Sequence, residues 1–208
     1  METFPTWTPG GKSLYFTRAQ GYQKGMALDS IRYDLCRISF DASTEKMGEP
    51  EIVLQASAQN KSISFPCVSP NGKYLMFTLS DYGNFSIWHP ESDLYILDLS
   101  TGETRDLENV NSNDVDSYHT WSSNGHWFVF SSKRMDGLWA RPYIASFNPE
   151  TGETEKAFLL PQKDPMFYDN YTYTYNRPEL IKKPVKNGKE FEKIIPQAAI
   201  LSTPKKNH

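Results

Sequence analysis

Three stretches of this chain repeat one pattern, and that repetition narrows the possible folds more than anything else in the sequence. The stretch Phe65-Pro66-Cys67-Val68-Ser69-Pro70-Asn71-Gly72-Lys73-Tyr74-Leu75-Met76-Phe77-Thr78 has imperfect copies at residues 4–17 and 118–131. Each copy begins on an aromatic residue, passes through a hydroxyl-containing turn that ends in Gly, and closes an apolar run on Phe followed by Thr or Ser. The copies start 61 and 53 residues apart. Such a period means that one supersecondary unit is built several times over.

The local chemistry of the middle copy predicts a tight hairpin. Pro70 presets its own φ, Asn71 tolerates the bridge or left-handed region, and Gly72 accepts a positive φ without steric cost. The flanking strands are predicted at 65–68 and 74–79. Leu75, Phe77 and Leu79 share one face of the second strand, and Tyr74 and Met76 share the other. Both faces are apolar, as a sheet covered on both sides requires.

A third strand is predicted over 94–99. The turn Ser100-Thr101-Gly102-Glu103 then leads into a short fourth strand ending at Leu107, so the unit is a four-stranded antiparallel meander. Residues 108–117 hold five Asn and Asp residues and read as a loop. In the first copy the hairpin is Trp7-Thr8-Pro9-Gly10-Gly11-Lys12, and the later strands fall at 14–17, 35–40 and 52–54. In the third it is Trp121-Ser122-Ser123-Asn124-Gly125-His126, with strands at 127–131, 143–147 and 157–160. The predicted class is all-β, three blades of a β-propeller at about 4–54, 65–107 and 118–160, with a C-terminal extension over 161–208.

The repeated motif resembles the WD40-like propeller repeat of TolB and its relatives in bacterial envelope proteins. The residues that carry the likeness are those from Phe65 to Thr78 and Asp93-Leu94-Tyr95 through Thr101-Gly102-Glu103, and the likeness covers about residues 4–160. It implies a periplasmic or cell-envelope location and a protein or peptide partner. Related repeats also serve as substrate gates of prolyl-oligopeptidase-like and tricorn-type proteases and in some lyases, so fold alone does not assign function. Three blades fall short of the 4 to 8 of a closed ring. The expectation is a truncated part of a longer propeller; the alternative is a homodimer that completes the ring.

Composition excludes several classes. With 38% hydrophobic and 14% aromatic residues the chain can bury a core, and it does not read as disordered. No window approaches the roughly 18 uninterrupted apolar residues of a membrane span, and residues 1–10 lack the basic and apolar regions of a signal peptide. A net charge of -3 gives no footprint for nucleic acid. Cys36 and Cys67 have no CxxC spacing or nearby His; they read as small buried side chains, with a disulfide as the alternative. No cofactor is expected, since P-loop and G-x-G-x-x-G motifs are absent, and the G-x-S-x-G elbow of a hydrolase is absent too.

In a meander blade the loops after the second and fourth strands leave by one end and the tight turns by the other. The insertions 18–33, 80–92 and 132–141, with the connections 55–64 and 108–117, are therefore expected on one face, where variable loops on a rigid scaffold usually bind. The candidate binding residues there are Asp81, Tyr82, Trp88, His89, Asp114, Asp116, Tyr118, His119, Lys133, Arg134, Trp139 and Arg141. Trp88 and Trp139 offer large contact area at low entropic cost, or fold back to cover a blade edge. His89 and His119 could join Asp114 or Asp116 at a metal, but the spacing is no ligand signature, and ordinary hydrogen bonding is the plainer reading. Lys133, Arg134 and Arg141 suit a carboxylate or acidic partner, or a solvated basic loop.

Past Leu160 the repeat stops. Asp164-Pro165 predicts a short helical turn over 166–170, and Tyr171, Tyr173 and Tyr175 alternate with Thr as a strand would. From Lys182 the chain is Lys-rich and without period, and its last few residues are expected to be mobile. The favoured function is a non-enzymatic binding module whose loop face meets a protein or peptide. The alternative is the propeller portion of an enzyme, either a peptidase gating domain or a metal-dependent carbohydrate lyase.

Overall fold

The computed structural model describes residues 1–183, and what was expected of the last few residues lies outside that range. The first sheet holds β1 (Glu2–Trp7), β2 (Ser13–Arg18), β3 (Asp34–Asp41), β4 (Lys46–Met47) and β5 (Glu51–Leu54). The second holds β6 (Ser62–Val68), β7 (Tyr74–Ser80), β8 (Asp93–Asp98) and β9 (Thr104–Asp106). The third holds β10 (Asp116–Trp121), β11 (Trp127–Ser132), β12 (Arg141–Ser146) and β13 (Phe158–Leu159). Every pairing is antiparallel and each sheet is a meander. The fold is all-β, built of antiparallel sheets that resemble partial propeller blades. In the first blade the fourth strand is split into β4 and β5: Gly48 N–H still donates to Ser39 O of β3, and Pro50, which cannot donate to the ladder, stands at the break.

The turns form as their residues dictate. Gly72 N–H donates to Ser69 O at 2.9 Å, and Gly11 and Gly125 make the equivalent bonds to Thr8 and Ser122. All three glycines hold φ between 65° and 74°, the left-handed region that costs them nothing. The Ser69 hydroxyl also accepts from Tyr74 N–H and donates to the Asn71 side chain, which locks the hairpin.

The blades stack by one rule used twice. The forward face of the first blade, with Tyr15 and Leu35, packs on the rear face of the second, with Leu75, Phe77, Tyr95 and Leu97. The forward face of the second, with Tyr74, Met76, Leu94 and Ile96, packs on the rear face of the third, with Phe128, Phe130, Tyr143 and Ala145. Both faces of the second blade are thereby buried, which is why its strands are apolar on both sides.

The repeated aromatic residue does not begin the first strand of each blade; it interrupts it. Phe4, Phe65 and Tyr118 have φ of 52°, 53° and 57°, each at a shift in strand register. The extra residue bulges and the strand continues on its far side, so β6 and β10 start earlier than expected. The three rings contact one another in a row, Phe4 tilted against Phe65 with centroids 4.3 Å apart and Phe65 edge-on to Tyr118 at 4.9 Å. Contacts of this kind offset part of the backbone strain.

Two turns at 164–169 stand where a short helical turn was expected, no strand forms at 171–175, and the segment runs on to 183 as an irregular strap. The strap crosses the forward face of the third blade. Ser131 and Thr120 hydroxyls donate to the carbonyls of Asn176 and Pro178, and Ala140 exchanges bonds with Thr174 and Tyr175. Tyrosines 168, 171 and 175 pack on each other instead of alternating across a sheet. Cys36 and Cys67 are free thiols, so the disulfide is ruled out.

Candidate binding site on the loop face

The five long connections meet at one end of the stack. Gly83 N–H donates to Ile31 O at 2.7 Å, joining the 81–92 loop to the loop of the first blade. Lys61 pairs with Asp81 at 2.6 Å, and Asp116 N–H donates to Ser92 O at 2.8 Å. The base of the 81–92 loop is fixed by buried hydroxyls: Ser117 Oγ lies 2.7 Å from Ser86 Oγ and 3.1 Å from Thr78 Oγ1. A polar loop thus stands on a rigid foot.

On that foot Asn84 and Phe85 take consecutive left-handed conformations, and a single 3-10 turn follows over Ser86–Trp88. The consequence is that Phe85 and Trp88 are both 66% exposed. With Leu28, Asp29, Tyr82, Gly83, Asn84 and His89 they line a cleft of about 700 Å3 between the first and second blades. Lys133 Nζ sits 3.4 Å from the centre of the Trp88 ring, a cation-π contact that holds the indole in place. The Tyr82 and His89 rings pack in a tilted contact with centroids 4.1 Å apart. Asn84 Nδ2 and His89 Nδ1 are buried and have no hydrogen-bond partner, although His89 Nδ1 is 3.4 Å from Glu91 Oε1. Large apolar surface thus lies beside unpartnered polar atoms at this cleft.

Of the residues singled out from sequence, Tyr82, Trp88 and His89 line this cleft, with Lys133 supporting Trp88 from behind. Asp81 is on its margin and Trp139 is 37% exposed on the third blade's loop. Asp116, Tyr118 and His119 belong to β10 and Arg141 to β12; none is a loop residue.

Their side chains serve the interior. Asp116 is fully buried, takes Arg134 Nη2 at 2.5 Å and accepts from Ser112, and burial raises its pKa despite that arginine. Arg134 also donates to Val110 O. Arg141 turns toward the carbonyls of Tyr168, Tyr171 and Tyr173 and so clasps the strap. His119 is buried against Met76 O, and desolvation lowers its pKa to about 3. Asp114 bonds within its own loop through Val115 N–H.

A shared metal site for His89, His119, Asp114 and Asp116 is not assembled: among the described residues no three His, Cys, Asp or Glu side chains converge. Sequence reading missed Leu28, Asn84 and Phe85. Phe85 carried the same signal as Trp88, a large aromatic in a polar insertion, whereas Leu28 and Asn84 matter only because two loops distant in sequence meet.

No protein-family model and no curated protein matches the chain. Solved structures similar to it include TolB from Acinetobacter baumannii, 20% identical with a TM-score of 0.44, covering 73% of this chain and 31% of that one. A putative TolB from Agrobacterium tumefaciens is 17% identical with a TM-score of 0.47, covering 74% and 48%. The β-propeller domain of the Trilobed protease from Pyrococcus furiosus is 15% identical with a TM-score of 0.43, covering 78% and 43%. The chain thus spans less than half the length of each.

Proposed function

We propose that the chain is a non-enzymatic binding module and that its loop face takes a peptide segment of a protein partner in the cleft between the first and second blades. The observation that carries this reading is the pairing of Phe85 and Trp88, each two-thirds exposed on a loop whose base is fixed by buried hydrogen bonds. Exposed aromatics on a rigid support give up little entropy on contact, as binding hot spots require. An apolar side chain of the peptide would lie between Leu28 and the two rings.

The alternative, the propeller portion of a peptidase or a metal-dependent lyase, gains no support from the placement of Asp116, His119 and Arg141, all of which are occupied internally.

Panning a random dodecapeptide phage library on the immobilised chain tests the proposal. Selected peptides should bind Trp88→Ala and Phe85→Ala at least about thirtyfold more weakly, the loss typical of a hot spot. They should bind Trp127→Ala, altered on a different surface, unchanged. Equal binding to all three variants would refute the site. Stoichiometric bound metal, lost in His119→Ala, would replace the module with a metalloenzyme.

A further inference from the structure

The first blade has a rear face that no described sheet covers. Trp7, Leu14, Phe16, Ile38, Phe40, Met47 and Ile52 lie on it, and Trp7, Met47 and Ile52 are exposed by 46%, 49% and 49%. The same register positions in the second and third blades are buried against a forward face: Leu75 and Phe77 match Leu14 and Phe16, as do Phe128 and Phe130. The match extends to a directional bond. Trp121, the counterpart of Trp7, sends its indole N–H to Cys67 O of the preceding blade at 3.0 Å. Trp7 has the same place in its hairpin, opposite Leu14 as Trp121 is opposite Phe128, and among the described residues its one aromatic partner is Phe40.

Among the described residues one forward face has no blade on it, that of the third. There the strap lies across β10 and β11, burying Val129 while leaving Trp127 39% and Phe158 47% exposed. The two ends of the stack are therefore complementary to each other by the rule that joins the blades within it.

We propose that the rear face of the first blade docks the forward face of the third blade of a second copy, and that the strap competes for that forward face. In this contact Trp7 donates to Thr120 O of the second copy, the position equivalent to Cys67. The arrangement is head to tail, so two copies can close on each other through two identical contacts or propagate further. A bound strap costs the copy its partner. This proposal concerns a surface separate from the loop-face cleft and does not depend on it.

Sedimentation of the full chain tests this. The unaltered protein should run as a monomer at 5 μM. Thr174→Val with Tyr175→Pro removes the two strap bonds to Ala140 without touching either docking face, and this variant should double in mass below about 50 μM, within the micromolar range of modest interfaces. Adding Trp7→Arg should restore the monomer. Continued monomer after strap release would overturn the proposal and assign the face to another occupant. Association that survives Trp7→Arg would overturn it as well. Hydrogen exchange on the unaltered chain needs no variant: raising the concentration from 5 to 500 μM should protect residues 6–16 while deprotecting 174–178. No change at either segment refutes the contact.

Discussion

The ring of His119 in the third blade crosses to the second, where its Nε2 lies 3.2 Å from the carbonyl oxygen of Met76. The ring is fully buried and its Nδ1 has no partner, so only the neutral imidazole fits. Burial lowers its pKa from 6.5 to about 3, with Arg177 of the strap adding to the effect.

Between pH 6.5 and pH 3 the unfolded chain binds a proton at this residue that the folded chain does not. Its share of stability is complete above 6.5 and falls by about 1.4 kcal/mol per pH unit on acidification. His119→Gln keeps a donor for Met76 O and cannot titrate. Urea unfolding from pH 7 to pH 4 should show a shallower fall for this variant, and parallel curves would disprove the assignment.

Asp93 works in the opposite direction. Desolvation at the start of β8, with repulsion from Asp116 and Asp106, raises its pKa to about 6, and Lys61 and Arg134 offset only part of this. Its folded pKa exceeds the unfolded value, so its favourable contribution is full below pH 3.8 and is lost as pH rises through about 6. Asp93→Asn should stabilise the protein at pH 7 by roughly 1 kcal/mol and have no effect at pH 3.5. Equal melting temperatures at pH 7 would count against it.

Phe65 combines a left-handed backbone with two ring contacts. Removing the ring by Phe65→Ala should destabilise the fold by about 2–3 kcal/mol. Phe65→Gly loses the same contacts but accepts φ of 53° freely, so it should be about 1 kcal/mol more stable than the alanine variant. In an ordinary strand the order reverses, and finding that order in a chemical denaturation series would refute the strain argument.

Gly83 marks where the two loops of the candidate cleft touch. A methyl group there would overlap the Tyr33 ring and stand 3.3 Å from Ile31 O. Gly83→Ala should therefore part the loops, weakening binding of cleft-selected peptides at least about tenfold, which is 1.4 kcal/mol. The melting temperature should fall by only a few degrees. Retained affinity would show that the cleft does not depend on this contact.

The sequence by itself determined the blades. Ser69-Pro70-Asn71-Gly72 and its two counterparts encode hairpins within four residues, and alternate residues such as Leu75, Phe77, Tyr74 and Met76 declare two buried faces, because turn chemistry and strand period are local properties. Only the tertiary structure decided which polar residues are free. Asp116, His119 and Arg141 look like surface candidates along the chain, yet they bond to Arg134, Met76 and the strap, residues 18 to 43 positions away. The cleft likewise joins Leu28 to Phe85, and the strap meets Ser131 from Asn176. Burial and partnership of this kind depend on how separate loops and blades come together, and no local pattern of residue types records that meeting.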